Sequence, residues 1–221
     1  MPKVSQEYID NKRKAITDAA HRVALRKPVM MITMTDIIEE TGMAQGGIYR
    51  YFTDLDDILV SLIRDMRTSY SIYDEADEIF ADAENMGFEE MVEAVFNLLA
   101  DRMSRTIDDI MKIDFDLTVM AMNDPDRVKR ILGNINSEGN IEHLVRLSFE
   151  QIGKKLRDSA YTPLLPVEDV IKYVSASYSG IQMSCILSSC YGYGKQGISY
   201  EVKPLMDALA KTMIMLMGGK V

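Results

Sequence analysis

The residues best suited to chemistry with a partner lie in one short run, Gln45-Gly46-Gly47-Ile48-Tyr49-Arg50. A glutamine can pair with the edge of an adenine, and an arginine can reach a guanine or a phosphate. A tyrosine hydroxyl can donate to a phosphate oxygen. Two adjacent glycines cost about 1 kcal/mol each in a helix relative to alanine. Close approach of backbone to a groove wall would justify them. Nothing comparable points to catalysis: the chain has no Ser/His/Asp, Cys/His or phosphate-loop arrangement. The paired acids Asp108-Asp109 and Glu89-Glu90 lack partners in the sequence and read as solvated helix surface. His21 and His143 add no metal-ligand spacing. Cys185 and Cys190, five apart in one expected helix, suit neither a disulfide nor a metal-binding pair. The expectation is a binding protein, not an enzyme, with no cofactor and no metal, working in a reducing interior.

The elements that must position that run are all helical. A first helix is expected from about residue 6 to 27, with Ile16, Ala19, Ala20 and Val23 as its inner stripe and Pro28 as its stop. Lys12, Arg13 and Lys14 near its start are either contacts to a DNA backbone or minor groove, or a solvated helix start. Thr33 can cap a short second helix, with Asp36 as a short-armed capping box. That helix turns its isoleucines Ile37 and Ile38 inward and ends at Gly42, where a left-handed conformation reverses the chain. A third helix spans about residues 44 to 50. Ile38, Met43 and Ile48 at the junction fit a helix-turn-helix or an ordinary helical hairpin. The outward composition of the third helix favours the former.

Charge supports this division. The 221-residue chain has a net charge of −9 and a pI near 4.8, which as an average argues against nucleic acid. Up to Phe52, however, there are eight basic and six acidic residues, against seventeen and twenty-eight after it. The first quarter is mildly basic and the remainder strongly acidic. No apolar stretch approaches the roughly 18–20 residues that span a bilayer, and the first residues lack a signal-peptide pattern. A cytoplasmic protein with no membrane partner is expected.

The run from Thr33 through Gly42 to the ending Gly47-Ile48-Tyr49-Arg50-Tyr51-Phe52, followed by acidic residues and a new helix, closely resembles the DNA-binding segment of TetR-family transcriptional regulators. With the first helix, the resemblance covers about residues 10–62. Three positions depart from the family pattern. Leu55 stands where a phosphate-contacting lysine is common, Ile38 replaces a small residue at the inter-helix contact, and Lys27-Pro28 replaces the usual glycine. The resemblance implies an all-α protein of about nine helices: a three-helix DNA-binding domain (1–53) followed by a larger ligand-binding and dimerisation domain (54–221). DNA contacts would come from Thr33, Thr35, Ala44, Gln45, Gly46, Gly47, Tyr49, Arg50 and Tyr51, with Lys12, Arg13 and Lys14. Phe52 is expected in the core. One such unit buries little surface, so a homodimer on a near-palindromic double-stranded operator is expected. The function implied is a ligand-responsive regulator, a repressor released by a small apolar or cationic effector. The other readings are a helical enzyme or carrier with an incidental helix-turn-helix, and a regulator with no effector.

Beyond Thr53 the apolar periodicity predicts a fourth helix reaching Phe80, a fifth over residues 88–103, a sixth near 107–122, and a proline-started helix after Asp124. A long helix follows over 137–159 with Ile141, Leu144, Val145, Ile152 and Leu156 inward. The last two, about 168–191 and 202–217, flank a glycine-rich turn, Gly192 to Gly197. The first of them is crowded with small residues and the second is apolar nearly all round. The resemblance implies a dimerising four-helix bundle built from two helices of each subunit; a buried hairpin within one chain is the alternative. Seventeen methionines suit either an adaptable apolar pocket or plain core filling. Tyr70, Phe96, Met103, Phe115, Met120 and Tyr178 are the candidate effector contacts. Asp114 or Asp116, if facing that pocket, would favour a cationic effector; as surface residues they would not.

Overall fold

The computed structural model describes residues 5–82, 85–133, 135, 140–158, 161–193 and 200–220. Eleven α-helices and one 3-10 turn are found among them, and no strand. The helices fall into two units, Met1–Tyr70 with Lys112–Ser137, and Ser71–Met111 with Glu138–Val221.

In the first unit, α1 (Gln6–Arg26) is capped by the Ser5 hydroxyl and ends at extended Lys27, ahead of Pro28. A proline disfavours helical geometry in the residue before it. Ile16, Ala19, Ala20 and Val23 are buried as the periodicity predicts, and α1 packs on α2 (Met34–Thr41) and α4 (Leu55–Ser69). A 3-10 turn, Val29–Met31, leads into α2, and α3 (Gln45–Ile48) follows Gly42. Two helices from later in the chain complete this unit: α7 (Ile110–Asn123), from Lys112 onward, and α8 (Pro125–Gly133). Asp124 caps α8 by accepting from the Arg127 N–H, and Arg127 ties α8 to Asp56 of α4 at 2.7 Å. The unit is therefore wider than residues 1–53.

A buried clamp joins α7 to the end of α1. Lys112 Nζ meets Asp116 Oδ2 at 2.8 Å, with both side chains under a tenth exposed. The same ammonium donates to the carbonyls of Ala24 and Lys27, and Asp116 accepts from the Val29 N–H at 3.2 Å. Carbonyls in the last turn of a helix have no partner within it, so Lys112 acts as a C-terminal cap supplied by a distant helix.

The second unit holds α5 (Tyr73–Ala81), α6 (Phe88–Thr106), α9 (Asn140–Asp158), α10 (Val167–Tyr191) and α11 (Val202–Leu216). Helix α11 lies on α6 and α10, and α5 on α6 and α9. One helix was expected from residue 54 to Phe80; the structure divides it into α4 and α5. The break falls at Tyr70-Ser71-Ile72, where aromatic, hydroxyl and β-branched residues are poor helix formers. Ile72 is buried there, and the Ser71 hydroxyl accepts from the Tyr73 N–H. The side chains of Ile141 and Leu156, and the turn residues 194–197, lie outside the described residues. Cys185 is buried and Cys190 half-buried, both as free thiols, and burial pushes the Cys185 thiol above its ordinary range.

Candidate nucleic-acid interface and apolar cavity

The helix-turn-helix is built from strictly local chemistry. Thr33 accepts from the Asp36 N–H at 3.3 Å, and its own N–H donates to Asp36 Oδ2 at 2.7 Å, a reciprocal capping box. Lys27 Nζ adds contacts of 2.7 and 3.0 Å to the same carboxylate. Lys27, then Thr33, hold the Asp36 pKa at about 2, below its usual 3.8. Gly42 takes φ 65°, the left-handed cap. Ile48 and Phe52 are buried, and backbone bonds from Tyr51 and Phe52 to the Ile48 carbonyl carry α3 into a terminal turn.

The residues expected to read DNA lie on the surface of that turn. Ala44, Gln45, Gly46, Tyr49 and Arg50 are exposed, and Gly47 and Tyr51 half-buried. A Cβ placed on Gly46 would meet nothing, and one on Gly47 only the end of the Met43 side chain at 3.5 Å. Internal packing therefore requires neither glycine. Both leave the backbone of the turn open to close approach from outside.

Other expected contacts are placed differently. Arg13 does not present its charge outward. Its guanidinium lies 4.1 Å over the Phe52 ring, donates to the Tyr51 carbonyl, and sits 3.9 Å from Asp57. It joins α1 to the end of the reading turn. Lys14 is exposed and paired with Asp18 at 3.1 Å, while Lys12 lies 5.6 Å over the Tyr8 ring. The Thr33 hydroxyl is fully engaged with Asp36, donating to it at 2.7 Å and accepting from its N–H; Thr35 is exposed. Arg22 and Arg26 both bind Glu40, holding its carboxyl below the usual range. Among the described basic residues up to Phe52, Lys12 and Arg50 have no carboxylate partner. Leu55 is half-buried at the start of α4.

The second unit contains an apolar cavity of about 80 Å³. Met91, Val92, Val95, Phe96 and Leu99 of α6 form one wall. Phe80, Leu144, Val145 and Ile152 line another, with Ile171, Val174, Tyr178 and Met213 completing it. Among the described lining residues only the hydroxyls of Ser148, Ser175 and Tyr178 are polar, and none is charged. Of the six candidate effector contacts, Phe96 and Tyr178 line this cavity. Met103 is fully buried on α6 without lining it. Tyr70, Phe115 and Met120 belong to the first unit. Asp114 is exposed on α7, and Asp116 is locked in the Lys112 clamp. Neither is among the described lining residues of the cavity. Lys112 and Arg102 were not singled out from the sequence. Each is a charged residue set within an apolar helical stripe, which is the signal that marks it.

A tight glycine turn between the capped α2 and the short α3, with a polar, glycine-bearing face outward, is the geometry of a helix-turn-helix DNA-binding protein. The family model described as bacterial regulatory proteins, tetR family, matches residues 16–62. The chain is 22% identical over 180 residues to YfiR of Bacillus subtilis, an uncharacterized HTH-type transcriptional regulator, covering 81% of this chain and 82% of that one. It is 26% identical over 113 residues to the HTH-type transcriptional regulator TtgR of Pseudomonas putida, half of this chain and 54% of that one. The fatty acid degradation regulator FadR from Bacillus halodurans shares the fold, with a TM-score of 0.60 at 15% identity over 96% of both chains. Residues 16–62 therefore carry a DNA-binding segment of the tetR family of bacterial regulatory proteins.

Proposed function

We propose that this regulator is a repressor. It binds a near-palindromic operator as a homodimer and leaves when a small apolar molecule fills the cavity of its second unit. The observation that carries the DNA side is the open Gly46-Gly47 surface: two costly glycines that nothing inside the chain requires. In this reading α3 enters the major groove, Gln45 reaches a base edge, and Arg50, Tyr49 and Thr35 meet phosphates. Residues 1–53 carry recognition and 54–221 carry sensing and dimerisation.

Dimerisation is assigned to α10 and α11. Tyr173, Ala176 and Met183 are exposed on the first, and Ala208 and Met215 on the second. An apolar row of this kind favours a second copy over water. In this reading the protein works in the cytoplasm beside its DNA; among the described residues no helix is long and apolar enough to cross a membrane. Release requires the effector to bind one arrangement of the dimer better than the other.

Gel-shift titration on the DNA flanking its own coding region tests the proposal. A footprint that weakens steeply with salt is expected, because neutralised phosphates release counterions. Unchanged binding by Tyr49→Phe and Gln45→Ala would refute the placement of α3. If no apolar compound releases the complex, the protein is a regulator without an effector.

A further inference from the structure

In the second unit Arg102 is a nearly buried cation that meets no carboxylate among the described residues. Arg102, on α6, is 7% exposed, and its Nε is fully inaccessible with no hydrogen-bond partner. Among the described residues its guanidinium meets no carboxylate. The acid beside it in sequence, Asp101, is exposed and pairs with Arg105 at 2.8 Å. A buried charge without a partner costs several kcal/mol in proteins, and arginine is rarely buried unpaired.

Its place on the helix relates it to the cavity. The α6 wall runs through Val95 and Leu99, and Arg102 continues that face one turn further on. Helical side chains lean over the turn N-terminal to their own Cα, which for Arg102 is the turn that holds Leu99, the last α6 residue of the lining. A second unmatched atom, the buried Oε1 of Gln151, lies on α9 one residue before Ile152 of the opposite lining. Its amide can present either its oxygen or its NH2 group by a half-turn. An uncharged apolar chamber with an unneutralised guanidinium beyond its wall has the polarity of an amphiphile turned inside out.

We infer that the effector is an amphiphilic organic acid, its apolar tail in the α6–α9–α10 cavity and its carboxylate paired with Arg102. The guanidinium fork matches a carboxylate with two parallel bonds. Met91 and Met213 in the lining supply the flexibility to admit a tail. This rests on reading the cavity as the effector site.

The test uses the full-length protein without DNA, titrated calorimetrically with decanoate, decanol and decylamine. Wild type, Arg102→Met, the exposed control Arg105→Gln and a cavity-filling Val95→Trp are compared. The expected order for wild type is decanoate first, decanol at least tenfold weaker, decylamine weakest. Arg102→Met loses at least tenfold for decanoate and nothing for decanol, while Arg105→Gln leaves both unchanged. The melting temperature of Arg102→Met without ligand should equal or exceed that of wild type, since an unpaired buried charge has gone. A marked fall instead would show that Arg102 has a structural partner and overturn the inference. Equal binding of acid and alcohol to wild type and Arg102→Met would also overturn it, while leaving the cavity as the effector site if Val95→Trp abolishes both. Failure of every compound with every variant would remove the cavity reading itself.

Discussion

Replacing Asp116 with asparagine should loosen the DNA-reading unit from a distance. The substitution keeps size and shape but leaves the Lys112 ammonium in a site where both side chains are under a tenth exposed. Two carbonyls, those of Ala24 and Lys27, would remain as its acceptors. Removing one partner of a buried ion pair costs about 3–5 kcal/mol, and the Val29 N–H also exchanges a charged acceptor for a neutral one. Even the lower figure is a large fraction of ordinary domain stability. The double variant Lys112→Met/Asp116→Leu should cost far less than the sum of its parts, because no charge is left unpaired. A residual loss of about 1–3 kcal/mol is expected from the uncapped α1 carbonyls and the Val29 amide. Urea denaturation followed by far-UV circular dichroism, at fixed protomer concentration, measures all three. Hydrogen exchange at the Val29 amide localises the effect. A single variant within about 0.5 kcal/mol of wild type, with unchanged exchange at Val29, would refute the clamp.

Gly46→Ala should separate stability from binding. With open space at its Cβ, alanine should stabilise the fold by about 0.5–1 kcal/mol while weakening operator affinity at least tenfold; melting curves and gel shifts read the two signs. Arg13→Ala should lower stability by about 1–2 kcal/mol, from the lost ring contact and carbonyl bond. It should leave the salt slope of operator binding unchanged, whereas Arg50→Gln should reduce that slope by about 1 per reading head. Asp36 has a folded pKa of about 2 against 3.8 unfolded, so its contribution is complete above about pH 4 and is lost as pH falls through about 2. With partial solvent screening that contribution is about 1–2 kcal/mol; acid titration of Asp36→Asn should show a correspondingly flatter arm.

The reading head was legible because its signals are local. Thr33, Asp36 and Gly42 act within a few residues of one another, and each does in the structure what its spacing implies. Arg13 was not legible in this way. Its partners, Phe52 and Tyr51, lie some forty residues on, and a basic cluster in sequence looks the same whether its members point out or in. The cavity was still less accessible. Phe115 and Met120 carry the same apolar periodicity as Phe96, but α7 returns to the first unit, and only the three-dimensional path of the chain decides which core a stripe fills. The α4–α5 break at Tyr70-Ser71-Ile72 was visible as a weak helical stretch. The buried position of Ile72, which fixes the break there, depends on packing.

The pairing of charges on the first unit bears on how the protein finds its site. Arg22, Arg26, Lys27 and Lys14 are all held by acids of the same unit, and Arg13 is folded inward. Among the described basic residues up to Phe52, that leaves Lys12 and Arg50 without a carboxylate. Under the proposed function, so few free cations give weak attraction to random duplex, brief stays and short slides, a search by hopping rather than tracking. The chromosome at large would then sequester few copies, and a small cellular pool could keep an operator occupied.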